Sequence, residues 1–352
     1  MKISDYYTYA PKSKIKAGDA NPNGKYQFYT SSPDESRRCD EYLYDCKAIV
    51  MGTGGSATLH YYDGKFSTST DCLTLIPNEK IRAKYLYYFF LANMGVLEAG
   101  FKGAGLKHTS KGYIDNIEIT KIPSLPSQDK IVNLFDELAL RIEKERRQIE
   151  KLDELIKARF VEMFGDRFLN TMNWPTKKLG DCATFRNGKA HEKVISETGQ
   201  YVLITSRAIA SDLQDVRHTD SLLTPLATGD IVMVMSDVPN GKALAKCLLI
   251  TENEKYTLNQ RICSLSNYDL NPVFFTYLLN RHQFFLSFND GNGQTNLRKD
   301  DILNCPLIRP SIELQNQFAN FVAQVDKSKF VVQKSLEKTQ LLFDSLMQEY
   351  FG

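Results

Sequence analysis

The 352 residues carry 44 basic against 42 acidic side chains, and 42% of them are hydrophobic. That apolar fraction fills packed cores and excludes a disordered chain, and the length suits two domains or three small ones. A formal charge of +2 excludes an overall basic field, so any nucleic-acid surface is a local patch. No apolar run approaches the roughly 20 residues that span a bilayer, and "MKISDYYTYAPKSK" lacks the apolar stretch of a signal peptide. The expectation is a soluble, cytoplasmic protein without a membrane partner. Seven cysteines, odd in number and never spaced C-x-x-C, fit free thiols better than disulfides or zinc.

In chain order, "YQFYT", "AIVMG" and "CLTLI" have the β-branched and aromatic enrichment of strands. Turn clusters such as "GDANPNG", "GTGG" and "YYDGK" separate them, and "KYLYYFFLANM" is long enough for a short buried helix. A Pro126-Ser127 step then introduces a long periodic stretch ending in Phe164-Gly165. Beyond it come the strand candidates "YVLIT", "DIVMVM" and "RICSL" and the helix candidate "PVFFTYLLNRH". A second Pro310-Ser311 step opens another long stretch, ending in Phe351-Gly352.

The second half repeats the first. Gln128 and Gln315, Ile131 and Phe318, and Leu138 and Val325 stand at the spacing that separates Gly165 from Gly352. Apolar residues at 135, 138, 142, 149, 152, 156 and 163 follow a 3-4 rhythm, with Glu145 and Arg159 in the polar slots. The second stretch fills the same slots from Val322 to Tyr350, with Lys329 and Thr339 as its polar members. A shared heptad register predicts two amphipathic helices packed antiparallel as a coiled-coil spacer. Upstream, "GKYQFYTSS" (24–32) matches "GQYVLITSR" (199–207), and "AIVM" (48–51) matches "DIVM" (230–233). "KFSTSTDCLTL" (65–75) matches "KYTLNQRICSL" (255–265), and "GAGLKHTSKGYI" (103–114) matches "GNGQTNLRKDDI" (291–302). The fold class expected is mixed α/β (α+β). It has two strand-rich domains at 1–124 and 167–310, each followed by a spacer helix, at 125–166 and 311–352.

Catalytic motifs are missing. "GDANPNGKY" fails the phosphate-binding loop pattern, and "GTGGSA" leads into a strand and turn where a dinucleotide fingerprint needs a helix. "NPNG" lacks the second proline and aromatic residue of a methyltransferase motif, and the five histidines form no ligand-spaced pair.

The duplicated layout resembles the specificity (S) subunit of type I restriction-modification enzymes. "PKSKIKAGDANPNGKYQFYTSS" resembles the start of a target recognition domain, and "WPTKKLGDCATFRNGK" (174–189) resembles the W-x-x-x-x-L-G-D opening. "IPSLPSQDK" and "CPLIRPSIELQNQ" resemble the family's domain-to-helix junction, while the first unit starts without the W…LGD opening. The resemblance implies a non-catalytic subunit that reads a bipartite double-stranded DNA target. It also implies docking of two modification (methyltransferase) subunits and of restriction subunits. The chain itself then needs no cofactor, and SAM, ATP and Mg belong to the partners. A type IIB restriction-methylation system uses a similar subunit. A rival of another class is a duplicated coiled-coil adaptor that binds no DNA.

Candidate DNA contacts follow from side-chain chemistry. Lys12, Lys14 and Lys16 alternate, so a strand would point all three at phosphates, or protect a sheet edge. The glycine-rich stretch 100–112 offers Lys102, Lys107, His108, Thr109, Ser110 and Lys111. Its counterpart at 289–299 offers Asn292, Gln294, Thr295, Asn296, Arg298 and Lys299. Arg or Lys suits guanine, and Asn or Gln suits adenine. The loops after the "IVM" strands add Ser56, His60, Tyr61, Asn240, Lys242 and Lys246 as weaker candidates, with hairpin turns as the plain alternative. Arg37 and Arg38 are phosphate contacts or ordinary surface charge.

Overall fold

The computed structural model describes residues 1–119, 121–238 and 241–352 and divides into two compact units. Unit 1 comprises Met1–Arg147 with Gln333–Gly352, and unit 2 comprises Gln148–Val332. Both divisions fall inside the long helices, so each unit holds a part of each.

Unit 1 contains β1 (Tyr7–Tyr9), β2 (Tyr26–Tyr29), β3 (Arg38–Cys39), β4 (Tyr44–Gly52), β5 (Leu59–Thr68) and β6 (Cys72–Pro77). They form one sheet in the order β1-β6-β4-β5-β2-β3, with β2 parallel to β5 and the other pairs antiparallel. Helices α1 (Ala83–Ala92), α2 (Met94–Ala99) and α3 (Lys111–Asp115) follow, and then α4 (Leu125–Phe164). The expected turn at "YYDGK" is absent. Strand β5 passes through it because Gly64, at φ +133°, bends without breaking the pairing of Cys46 with Gly64. The segment of Lys12, Lys14 and Lys16 is not a strand either. It runs outside the sheet, with Ser13 buried and its Oγ accepting from Ile15 N at 3.1 Å.

Unit 2 repeats this plan with its sheet broken into smaller ones. Its strands are β7 (Thr176–Lys178), β8 (Thr184–Asn187), β9 (Tyr201–Ile204), β10 (Arg217–Thr219), β11 (Ile231–Val234) and β12 (Ser236–Asp237). The others are β13 (Cys247–Leu249), β14 (Tyr256–Leu258), β15 (Ile262–Ser266), β16 (Thr295–Asn296) and β17 (Pro306–Ile308). Helices α5 (Ser206–Ala210), α6 (Pro272–Leu279), α7 (Gln283–Leu286) and α8 (Lys299–Leu303) precede α9 (Ile312–Phe351). The order β8-β15-β11-β13 reproduces the first half of the unit 1 sheet, and β14-β9-β10 reproduces the rest. The long β5 is thus replaced by two short strands, β13 and β14.

The helix starts are fixed alike in both units. Gln128, fully buried, accepts at Oε1 from Arg82 N (2.7 Å) and donates from Nε2 to Pro123 O (2.9 Å). Gln315 accepts from Asn271 N and donates to Pro310 O, both at 2.9 Å. A buried carboxamide whose oxygen and nitrogen are both satisfied pins the long helix to the backbone at the start of α1 or α6. The helix ends match too. Phe164 O accepts from Trp174 Nε1 (3.0 Å), and Phe351 O accepts from Asn93 Nδ2 (3.1 Å).

Phe351 packs within unit 1 against Tyr85 and Phe135, while Phe164 packs within unit 2 against Phe274 and Phe318. Each helix therefore ends in the unit where the other begins, which makes their packing antiparallel. The polar heptad slots are partnered. Glu145, nearly buried, accepts from Ser335 Oγ (2.6 Å) and Arg141 Nε (3.1 Å), and Lys329 pairs with Asp153 (2.7 Å).

His282 is fully buried before α7, and its Nδ1 accepts from Phe284 N at 3.2 Å. Burial first, then the neighbouring Arg167, holds its pKa down at about 4. Between pH 6.5 and 4 the unfolded chain takes up a proton that the folded chain refuses, so stability falls as pH falls through that window. The expected loss is about 3 kcal/mol. Urea unfolding across that range should show a flatter decline for His282→Asn, which keeps a capping acceptor. An equal decline in both proteins would place the titration elsewhere.

Candidate nucleic-acid interface

In unit 1 the β4–β5 connection and the glycine-rich loop after α2 lie side by side. Gly54 bridges His108, Thr109 N donates to Thr53 O (3.0 Å), and Gly55 N donates to Lys107 O (2.8 Å). Lys102 and His108 close the loop on itself through two 3.0 Å backbone hydrogen bonds. Gly103, at φ +149°, makes that reversal possible. In unit 2, β12 pairs with β16, placing Ser236 opposite Asn296, and Leu297 N donates to Met235 O (2.8 Å). The repeat aligns Gly54 with Ser236 and His108 with Asn296. The same long-range bridge therefore joins the same two loops in both copies.

Lys102, Lys107, His108, Ser110 and Lys111 are exposed, and Thr109 is half-buried. The Ser110 Oγ is occupied as the cap of α3, accepting from Tyr113 N (3.3 Å). In unit 2, Asn292, Gln294, Asn296, Arg298 and Lys299 are exposed, but Thr295 is buried at the β12–β16 pairing. Gln294 Nε2 donates to Ser236 Oγ (2.7 Å), which orients the carboxamide before any ligand arrives. Asn292, Gln294, Thr295, Asn296 and Arg298 line an open depression together with Phe288, Asp290 and Asp301.

Several sequence candidates lie elsewhere or are already committed. Lys246 donates from Nζ to Ala210 O (2.9 Å) and faces Asp212 (3.1 Å), so its charge is spent inside unit 2. Lys242 is exposed, and Asn240 lies outside the described residues. Lys12, Lys14 and Lys16 are exposed, in the irregular segment described above. His60 is buried against Tyr29 and bonded to Glu35 (2.7 Å), and Arg38 is folded onto Gln27 and the Glu35 carbonyl. Ser56 is exposed, Tyr61 packs beside Tyr87, and Arg37 faces Asp34 at 3.5 Å.

Supporting residues escape a reading by charge. Tyr7 and Tyr9 both donate to Asp115 Oδ1, at 2.8 and 2.9 Å, which braces α3 and hence the end of the loop. Burial, with the adjacent carboxylate, pushes both phenols up, so they remain protonated donors. Asp237 accepts at Oδ2 from Ala243 N (2.7 Å) and Leu244 N (3.0 Å) and shapes the loop after β12. Lys111 Nζ sits 4.2 Å from the Tyr9 ring centre, and Lys299 Nζ sits 6.0 Å from that of Phe185. Among the described residues there is no group of three or more His, Cys, Asp or Glu placed to hold a metal, and no helix long and apolar enough to cross a membrane.

No curated protein matches the chain. A crystal structure of the type I restriction-modification system S subunit from M. genitalium is similar with a TM-score of 0.65. It is 17% identical, over 100% of this chain and 95% of that one. A second structure, from work on complex assembly and conformational transition of the type I R-M system, is 14% identical with a TM-score of 0.54. That likeness spans 100% of this chain and 96% of the other. Both likenesses concern the fold. The family model described as the type I restriction modification DNA specificity domain matches residues 1–154 and 172–340, one copy for each half of the repeat. With its two repeats and two long helices, this chain belongs to the type I restriction-modification DNA specificity family.

Proposed function

We propose that the chain is the sequence-reading subunit of a type I restriction-modification assembly, each unit reading one half of a split double-stranded target. The observation that carries this is the repeated bridge, Gly54 with His108 and Ser236 with Asn296. It holds the same backbone in both units while the exposed side chains around it differ. A fixed backbone with interchangeable polar side chains is what direct readout of two different base sequences requires.

In this reading two methyltransferase subunits and the restriction subunits dock on the chain and bring SAM, ATP and Mg. Methyl transfer and cleavage are theirs. The purified chain incubated with duplex DNA and SAM should leave the DNA unmethylated, and adding the methyltransferase subunit should produce modification. Methyl transfer by the highly purified chain alone would overturn the non-catalytic assignment. Mobility shifts with random duplexes, with and without the methyltransferase subunit, test the DNA reading. No retardation in either condition would leave a protein-bridging adaptor.

A further inference from the structure

We propose that Lys111 and Lys299 are equivalent phosphate anchors, one in each unit, and that His108 and Asn296 are the equivalent base-reading positions. The proposal rests on the DNA reading above and divides the work within each loop.

The two loops align without a gap from Gly103 opposite Gly291 to Ile114 opposite Ile302, so the chain supplies its own comparison. Most positions differ, as sequences free to read different bases would. Identical ones call for a reason. Ile114 and Ile302 are 1% and 0% exposed, and the core explains them. Gly103 and Gly291 have φ of +149° and +77°, and the backbone explains them, while Gly105 and Gly293, also identical, have no side chain with which to meet a ligand. Lys111 and Lys299 have neither reason, since both side chains are exposed.

Their placement is nevertheless shared. Each ammonium faces an aromatic ring on the first strand of the main sheet, Tyr9 on β1 or Phe185 on β8. Those rings are themselves equivalent, because Tyr9 pairs with Leu75 and Phe185 with Leu265. An aromatic face attracts a cation without neutralising it. Among the described residues neither ammonium has a carboxylate partner. A positioned, unneutralised charge at one place in two domains that read different sequences suits the part of DNA that does not vary, its phosphate.

Positions 108 and 296 show the opposite pattern. Their backbones are held by the same bridge and their side chains are exposed, yet one is an imidazole and the other a carboxamide. Asn296 can both donate and accept, which matches the adenine N6/N7 edge. His108 with a ring N–H offers a donor to an acceptor edge such as guanine N7 or O6.

The test uses the full chain, alone and with the methyltransferase subunit. It selects from a random duplex pool, then titrates salt against the selected duplex and a scrambled one. Lys111→Gln and Lys299→Gln should each weaken both duplexes by the same factor and flatten the log K against log salt slope by about 0.9. The selected sequence should stay the same, and Lys111→Arg should restore the slope. His108→Asn and Asn296→His should each change one half of the selected sequence and leave the slope unchanged. A lysine variant that alters the sequence or spares the slope overturns the anchor role, and an unchanged sequence in His108→Asn overturns the reading role. If the wild-type chain selects no sequence in either condition, the DNA reading itself falls. Failure of the proposal alone appears only with a wild type that selects.

Discussion

If each unit reads one half of the target, replacing Asn292, Gln294, Asn296 and Arg298 together with alanine or serine should relax one half and leave the other half as it was. Each unit carries its own loops on its own framework, so removing side chains in unit 2 takes no contact from unit 1. Each lost bidentate contact removes roughly 1–3 kcal/mol of discrimination, so two or more erase selectivity at their positions. The structure decides which residues to spare in the stretch 289–299. Thr295 and Leu297 are buried, and Gly291 has a positive φ, so changing them would damage the β12–β16 pairing as well as the readout. Gln294 gives up its bond to Ser236, which costs some loop order but no core contact. Methylome sequencing of the reconstituted complex reports the outcome. Equal loss at both halves would show that the units do not read independently.

The duplication was legible because it is written in features that a sequence displays directly: heptad spacing, strand composition, and Phe-Gly at both helix ends. The paired glutamines, Gln128 and Gln315, stand out by spacing alone, and the structure supplies their reason as a staple at each helix start. What sequence could not give is the long-range pairing. Nothing local to His108 announces that it bridges Gly54, and nothing near Lys111 points to Tyr9. Those contacts exist only once the sheet sets the β4–β5 connection beside the loop that follows α2. Nor does charge reveal that Lys246 and His60 bond within the chain, to Ala210 O and Glu35.

The first unit's missing W…LGD opening has a structural answer as well. Lys2 bridges Glu118 as Lys178 pairs with Pro306, and Ile3 fills the core as Leu179 does. "KISD" thus does the work of "KLGD", and β1 pairs with β6 as β8 pairs with β15. Asn93 meets the Phe351 carbonyl as Trp174 meets that of Phe164. Short motifs fail here because the contact is kept while the residue making it changes.

Lengthening both long helices by one heptad should widen the unread gap between the half-sites by up to about three base pairs, with both half-sites unchanged. Seven residues add roughly 10 Å of helix and keep the apolar seam in register. At about 3.4 Å per base pair that is the stated gap, if the helices run along the duplex. The repeat alone would match an insertion after Lys151 with one near Lys338. The contacts choose differently, because Asp153 meets Lys329 at 2.7 Å across the antiparallel pair. The matching insertion therefore belongs after Phe330. Placed there, the two insertions fall between the Glu145–Ser335 and Asp153–Lys329 contacts, and both contacts survive. An insertion in one helix alone leaves seven residues unopposed and should destabilise the pair. Three base pairs also turn the duplex by roughly 100°, given about 10.5 base pairs per turn, so affinity for the widened target should fall. The informative quantity is the gap recovered by methylome sequencing of the doubly lengthened protein. A half-site that changes while the gap stays fixed would end the ruler model.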